Sequence, residues 1–195
     1  LQAEGEASPA DLVLTVDISR LKQYADKGLF QPFTSKALES SIPKNLRSKD
    51  NTWYGFSKRS RVIAVSKSLE NSSNIKRFED LTDTNWSGKI CSRPGSHVYN
   101  RALLSSIIAA NGNEAALAWA QGLVENFARS PRGNDRSQIK AIFSGECAIA
   151  LVNHYYYGKL INSEDPAHRK WAESVDIIIP NQGPTDRGAH INISG

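Results

Sequence analysis

The sequence predicts an α/β fold, and three observations support this prediction. Ala10–Val16 is a run of apolar and β-branched residues, typical of a buried strand, and a helical pattern follows it. A second helical pattern, which ends near Gly145, leads directly into the apolar segment Cys147–Val152. That segment shows no alternation of apolar and polar residues, as expected of a strand covered on both faces. Strands that alternate with helices in this way indicate an α/β fold.

The amino-terminal part of the chain is predicted to continue this alternation. Asp17 can cap a helix that ends at Gly28. The apolar face of this helix consists of Ile18, Leu21 and Ala25. Trp53–Phe56 and Arg61–Val65 are then predicted as paired or successive strands.

The middle of the chain is predicted to contain four helical segments and two strands. They are a helical turn at Phe78–Leu81, a strand at Ile90–Ser92, a helix at about Tyr99–Ala110, a helix capped by Asn113, a helix opened by the capping box Asp135–Gln138, and a strand at Val175–Pro180. In the helix after Asn113, helical spacing predicts a buried face. This face would consist of Leu117, Ala120, Val124 and Phe127.

Composition limits the classes of function. The chain has 195 residues, of which 39% are hydrophobic, so it can form a substantial core. No apolar run has the length needed to span a membrane. The net charge of +4 is scattered, and the densest basic stretch, Lys58–Arg61, is short, which argues against a nucleic-acid partner. The chain contains no Met and shows no signal peptide, so we expect a mature chain or a fragment.

The two cysteines and two of the tyrosines follow the same spacing. Cys91 and Cys147 are as far apart in sequence as Tyr99 and Tyr155. If the two strands that carry the cysteines are parallel neighbours, the cysteines could form a disulfide. The loops at the carboxyl ends of these strands would then bring Tyr99 and Tyr155 together, where ligands of open α/β sheets bind. Chance could also produce equal intervals, so two free core thiols and unrelated tyrosines remain an alternative.

The segment NHYYYGKL, residues 153–160, holds half of the six tyrosines of the chain. One interpretation is an aromatic patch on a loop. The other is a cluster of phenolate ligands for a hard metal ion. A free phenol, with a pKa of about 10, ionises little at neutral pH, but a bound cation can displace its proton. Since zinc prefers His and Cys and calcium prefers carboxylates, several tyrosines point to ferric iron.

Two further classes of function are alternatives to a metal site. A cysteine hydrolase would need a reactive thiol, and Cys147 at the start of a buried strand is a poor place for one. A pure interaction module would bind no ligand and would expose an aromatic patch. Among the histidines, His154 and, less so, His97 are candidate ligands, while His168 is isolated and His190 fits a loop or hinge better.

The sequence resembles the periplasmic ferric-ion-binding proteins of ABC-type iron importers, a transferrin-like group of bacterial solute-binding proteins. The similarity is greatest to the branch that uses several tyrosines, as in cyanobacteria. It covers almost the whole chain in order, and Asn-x-Tyr-Tyr after an apolar strand is its most specific part. The matching stretches are Ser8–Asp11 with Thr15–Asp17, Gly28–Pro32, Trp53–Gly55, Tyr99–Asn100, Gly145–Cys147 through Asn153–Tyr156, and Asn181–Gly183 with Arg187–His190.

The resemblance implies a two-lobed α/β clamshell of the type II periplasmic-binding-protein class, whose hinge closure buries the ligand. Family members are longer at both ends, so we expect mostly the second lobe with parts of the first. Residues 1–64 would be the partial first lobe with a crossing strand near Arg61–Val65. Residues 65–174 would form the second lobe. Residues 175–195 would hold the returning strand near Val175–Ile179 and the start of the remaining first lobe.

The resemblance also implies that Tyr155 and Tyr156 bind ferric iron and that Tyr99 is a further ligand. Tyr157 would be structural, and Asn153 would lie beside the metal or a co-bound anion.

Several neighbouring positions qualify this expected site. The loop Pro94–Ser96 would lie on the anion side, and Lys159 stands where relatives often carry an arginine. Lysine keeps the charge but lacks the planar fork of arginine. Val16 stands where some relatives have a glutamate ligand, and Asp17 beside it is interpreted as a helix cap.

By the same resemblance, ferric iron is the transported ligand, with a synergistic anion as a possible second component. The protein would be a periplasmic monomer that delivers iron to an inner-membrane ABC permease and has no enzymatic activity. Because disulfides persist in the periplasm, a Cys91–Cys147 bond is predicted. The alternative is a solute-binding protein of the same fold for an organic or anionic small molecule, in which the tyrosines stack on or hydrogen-bond the ligand.

Overall fold

The computed structural model describes residues 3–180 and 191–194. The chain divides into two compact units, one made of residues 1–59 with 191–195 and the other of residues 60–190. The lobe boundaries expected from the sequence, 1–64, 65–174 and 175–195, remain a prediction. The matching stretches Asn181–Gly183 and Arg187–His190, and with them the expectation for His190, lie outside the described residues.

Helices and strands alternate along the described chain, which confirms the α/β class. The helices are α1 (Ile18–Asp26), α2 (Lys36–Ser41), α3 (Val98–Asn111), α4 (Asn113–Glu125), α5 (Asp135–Phe143), α6 (His154–Ile161) and α7 (Pro166–Glu173). The strands are β1 (Ser57–Ser66), β2 (Ile90–Cys91), β3 (Ile149–Asn153), β4 (Val175–Ile178) and β5 (Ile191–Ser194). Short 3-10 turns occur at Gly5–Ala7, Lys44–Leu46, Ser72–Asn74, Glu79–Thr82 and Thr84–Trp86. No helix in this part of the chain is long and apolar enough to cross a membrane.

A mixed sheet forms the centre of the second unit, with strand order β2-β3-β1-β4. β2 runs parallel to β3, with Ile90 opposite Ile149, which meets the condition under which the two cysteines could form a disulfide. β3 and β4 are both antiparallel to β1, and β5 also pairs with β1.

Both faces of this sheet are covered by apolar side chains. Successive residues of a strand point to opposite faces, so alternate residues of β1 and β3 contribute to two different clusters. On one face, Ile63 and Leu151 pack against residues of α3 and α4. On the other face, Ala64 and Val152 pack against residues of α5, α6 and α7. The absence of alternation in β3 thus reflects burial on both faces, as predicted.

A disulfide joins Cys91 and Cys147, as predicted. Their Cα atoms are 5.9 Å apart, within the usual range for a disulfide. The bond adds to a pairing that spans only two residues of β2, and it lies among the side chains of the α5–α7 face of the sheet. It therefore joins the two parallel strands that lead to Tyr99 and Tyr155.

The predicted buried face of α4 is only partly right, since Ala120 and Phe127 are partly buried against the core cluster. Leu117 and Val124 are 61% and 59% exposed, whereas Trp119 and Leu123 are buried. The helix is apolar on several sides, so helical spacing allows either face to be the buried one. The choice depends on a tertiary contact, because the Trp119 indole Nε1 donates a hydrogen bond of 2.8 Å to the Phe78 carbonyl.

In the first unit, the helix after Asp17 is confirmed. The Asp17 carboxylate accepts hydrogen bonds from the Ser19 backbone N (3.1 Å) and Oγ (2.8 Å), and it lies 3.9 Å from Arg59 Nη2. Asp17 is wholly buried, so Arg59 compensates its charge. This capping role is the one that the sequence predicted.

The two strands predicted in this unit are wrong. Ala10–Val16 contains no strand, and Leu12 and Leu14 are 92% and 83% exposed. Trp53–Phe56 contributes only an isolated bridge from Tyr54 to Arg47. Both segments have the composition of strands, but none of the described residues provides a ladder of hydrogen bonds for them.

Two helix caps also differ from the sequence prediction. α4 is preceded by Gly112 as its N-cap, so Asn113 is its first residue. The cap of α5 is Asn134, whose Oδ1 accepts a hydrogen bond of 3.1 Å from the Ser137 backbone N. Asp135 is therefore the first helical residue and not a cap, which leaves its carboxylate available for other partners.

This difference predicts the effect of two asparagine substitutions. Asn134→Ala removes the cap of α5 and should lower the free energy of unfolding by about 1 kcal/mol. Asn113→Ala is the matched control at a position where no side-chain cap bond exists, and it should have little effect. Urea denaturation followed by circular dichroism measures both. An equal loss in the two variants would contradict the observed cap.

Candidate metal centre

The three tyrosines singled out from the sequence lie in the second unit, where β2 and β3 end and helices begin. Tyr99 is the second residue of α3, and Tyr155 and Tyr156 are in the first turn of α6. α5 also begins beside them, since Asp135 bonds to the end of β3. The amino terminus of a helix carries partial positive charge, so this end of the sheet favours anionic groups.

The phenol groups are in direct contact. The hydroxyls of Tyr99 and Tyr155 are 3.2 Å apart, which is within hydrogen-bond distance. The rings of Tyr155 and Tyr156 lie 4.4 Å apart between centroids, with an interplanar angle of 31°. The arrangement therefore groups three phenol oxygens that come from two helices far apart in sequence.

The surroundings of Tyr156 hold its phenol in the neutral form. Burial raises the pKa of Tyr156 above its ordinary value, and a hydrogen bond with Tyr155 raises it further. The charges of Tyr155 and Tyr99 act in the same direction. A cation that binds here must therefore displace a proton from Tyr156, which a highly charged metal ion can do.

A buried ion cluster lies behind the tyrosines. The Asp135 carboxylate accepts hydrogen bonds from Arg61 Nη1 (2.6 Å) and Arg93 Nη1 (3.0 Å). It also accepts one of 2.7 Å from the Asn153 backbone N at the end of β3. Arg61, Asp135 and Asn153 are completely buried. Burial lowers the pKa of Arg61 and the charge of Asp135 opposes this, but a guanidinium remains charged in proteins.

The ion cluster extends to the helix that carries Tyr99. Arg61 Nη2 donates a hydrogen bond of 2.7 Å to Asn100 Oδ1, and Arg61 Nη1 donates one of 3.2 Å to Asn153 Oδ1. The guanidinium carbon of Arg93 lies 4.9 Å from the centroid of the Tyr99 ring, and that of Arg61 lies 6.0 Å from it. Positive charge is thus placed against the ring of one candidate ligand.

Two further cations contact the other two tyrosines. Lys159 Nζ lies 5.7 Å from the centroid of the Tyr155 ring, and the guanidinium carbon of Arg136 lies 5.5 Å from that of Tyr156. Each of the three phenols is therefore paired with at least one cationic side chain. Lys159 thus supplies positive charge beside Tyr155 at a position where relatives often carry an arginine.

The three histidines in the described part of the chain have structural partners. His97 caps α3, since its Nδ1 accepts a hydrogen bond of 3.2 Å from the Tyr99 backbone N. His154 Nδ1 accepts one of 3.0 Å from the Ser60 backbone N, and His168 contacts Ser163 Oγ at 3.1 Å. Neither His97 nor His154 is therefore required as a ligand to explain its position.

Two expectations about the site are wrong, and a third agrees with the packing of Tyr157. The tyrosines lie in first turns of helices and not on loops, because α6 begins directly where β3 ends. Tyr157 packs against the core cluster beside α5–α7, in line with a structural role. The cysteine-hydrolase alternative is wrong, because Cys147 is in a disulfide and has no free thiol.

Sequence reasoning missed the ion cluster. Arg61 belongs to a short basic stretch, Asp135 belongs to a sequence that resembles a capping box, and Arg93 belongs to no recognisable motif. The one available sign was Asn100, next to Tyr99 in a stretch that matches the family. Charged residues scattered over the chain show no periodicity, so only the fold reveals that they meet.

The profile of the family described as bacterial extracellular solute-binding protein matches residues 7–185. The chain belongs to this family. Among curated relatives of this solute-binding protein, "Iron uptake protein A1" of Synechocystis sp. (strain ATCC 27184 / PCC 6803 / Kazusa) is 46% identical over 195 residues. That match covers 100% of this chain and 54% of the relative. This solute-binding protein thus spans about half the length of the curated relatives it matches.

Solved structures of related solute-binding proteins have the same fold. The ferric binding protein from Campylobacter jejuni matches with a TM-score of 0.93 and 44% identity, over 98% of this chain and 60% of that one. The Trichodesmium protein (IdiA, FutA) in complex with iron and citrate ligands matches with a TM-score of 0.90 and 44% identity, over 99% and 60% of the two chains. The expected type II periplasmic-binding-protein fold is therefore confirmed, as is the resemblance to ferric-binding proteins.

Proposed function

We propose that this protein binds ferric iron through the phenolate oxygens of Tyr99, Tyr155 and Tyr156 and delivers it to an ABC permease. The observation that carries the proposal is the direct contact of the three phenols, with 3.2 Å between the hydroxyls of Tyr99 and Tyr155. In this proposal the protein acts in the periplasm as a monomer. It captures and releases its ligand and catalyses no reaction.

The chemistry of the phenol cluster fits a trivalent ion. Three phenolates carry three negative charges, which balance the charge of one ferric ion. Each phenol releases its proton when it binds the metal. Because protons compete with the metal for the phenolate oxygens, iron binding should weaken as the pH falls. Three neighbouring phenolates would repel one another. This repulsion is reduced by the cationic side chains at the rings, which are Lys159, Arg136 and Arg93.

The names of the relatives support iron as the ligand. They include iron uptake proteins and ferric-binding proteins, and one related structure holds iron together with citrate. We extend the proposal to a synergistic anion beside the iron, since cationic side chains surround the phenols. Helix amino termini at the same place would favour such an anion further.

A titration with chelated ferric iron tests the proposed function. A phenolate-to-iron charge-transfer band should grow in the visible range and saturate at one iron per chain. Tyr157→Phe is the control variant. It removes the hydroxyl of the tyrosine next to the cluster and should leave the band intact. If folded wild-type protein binds no iron and gives no band, the ferric proposal is wrong. An organic or anionic solute would then be the better candidate ligand.

A further inference from the structure

We propose that Asp135 is a positioning residue of the ferric site, which sets both the orientation of Tyr99 and the charge behind it. This inference rests on the proposed function, because it concerns how the same phenols bind iron. Asp135 acts through the two arginines that its carboxylate holds.

The first step is that the hydrogen bonds of the Asp135 carboxylate join it to groups that border the tyrosines. Its Oδ2 accepts hydrogen bonds from Arg61 Nη1 and from the backbone N of Asn153, and its Oδ1 accepts one from Arg93 Nη1. Asn153 immediately precedes the helix of Tyr155 and Tyr156. One carboxylate thereby joins β1, the end of β3, the start of α5 and the segment after β2.

The second step is that both arginines reach Tyr99. Their guanidinium carbons lie 4.9 Å and 6.0 Å from the centroid of its ring. Arg61 also donates to Asn100 Oδ1, and the amide of Asn100 donates to Ser92 Oγ and to the Arg93 carbonyl, each at 3.0 Å. The first turn of α3 is therefore held on the ion cluster, and Tyr99 is fixed with it.

The third step is the balance of charge. Two guanidinium groups face one carboxylate, so the cluster carries one net positive charge in a buried place. Converting Asp135 to asparagine would leave two positive charges beside the Tyr99 ring. It would also turn one acceptor into a donor that faces an arginine. Both consequences act on Tyr99, since a buried charge without a partner is strongly unfavourable.

Asp135→Asn tests this role in a ferric titration of the protein. The affinity for iron should fall about 10- to 100-fold, as is typical when a group that orients a metal ligand is lost. The charge-transfer band should move to shorter wavelength, because extra positive charge against the ring stabilises the filled orbital that donates the electron. Asp165→Asn, which changes an exposed helix cap, is the control and should leave the band in place.

A companion variant separates charge from stability. Arg93→Gln removes one cation and leaves Arg61 paired with Asp135, so the band should move to longer wavelength. In Asp135→Asn/Arg93→Gln the net charge returns to one, and the band should return towards its original position. If Asp135→Asn alone fails to fold, Arg93→Gln and the double variant still test whether the charge of the cluster sets the wavelength of the band.

The outcomes distinguish the two proposals. A wild-type protein without a band contradicts the ferric function itself. A wild-type band, with unchanged affinity and wavelength in folded Asp135→Asn, would overturn the role of Asp135 alone. A loss of affinity with no change of wavelength in any of these variants would show that the cluster only supports the fold, and it would also overturn the inference.

Discussion

Tyr155→Phe is expected to weaken and shift the ferric charge-transfer band, since only two phenolates remain, and to cause the largest loss of iron affinity of any single substitution considered for this protein. Tyr155 lies between the other two phenols, since its hydroxyl contacts that of Tyr99 and its ring stacks on Tyr156. Removing its oxygen deletes one anionic ligand from the centre of the cluster. The loss should exceed the roughly 10- to 100-fold effect of losing a group that only supports a ligand.

The measurement is the same ferric titration followed by absorbance and by a competing chelator. Phenylalanine keeps the ring and so the packing, and circular dichroism should show an unchanged fold. Tyr157→Phe again serves as the control, since its side chain packs on the core beside the cluster. An intact band in Tyr155→Phe would exclude this residue as a ligand and would require the site to be reassigned.

The second large effect is expected from removal of the disulfide. Cys91→Ala/Cys147→Ala should lower the free energy of unfolding by about 4 kcal/mol in the chain-entropy account. The bond closes a loop with a sequence separation of 56, so its loss restores considerable freedom to the unfolded chain. For a chain of this size the melting temperature should fall by roughly 10 °C.

Differential scanning calorimetry of oxidised protein and of the double variant measures this difference. A single Cys147→Ala variant, which leaves Cys91 as a free thiol, should show a similar loss and so separates the bond from the side chains. A melting temperature that does not change in the double variant would contradict the prediction. Iron binding by the folded double variant tests whether β2 and β3 still bring Tyr99 and Tyr155 together without the disulfide.

Sequence alone was sufficient for those features that depend on local patterning. The helix from Ile18 has a cap and one apolar face, and the structure shows both. β3 has no alternation because it is buried on both faces. The equal intervals from cysteine to tyrosine suggested parallel neighbours, and the structure confirms both the pairing and the disulfide.

Predictions were wrong where a local pattern admits more than one tertiary partner. Ala10–Val16 has a strand composition, but a strand forms only when another segment pairs with it. In α4 the apolar residues occur on several sides, and the hydrogen bond of Trp119 selects the buried face. Asp135 lies in a sequence that resembles a capping box, but in the fold its carboxylate accepts hydrogen bonds from two arginines.

The sequence by itself therefore determined the α/β class, the disulfide partners and the tyrosines that belong to the candidate site. Each of these follows from composition, from sequence intervals or from a matching motif, which are available without knowledge of the fold. Only the tertiary structure decided that Arg61, Arg93 and Asp135 meet behind Tyr99. Their positions in sequence follow no common period, and they come together because the ends of β2 and β3 and the start of α5 converge at one edge of the sheet.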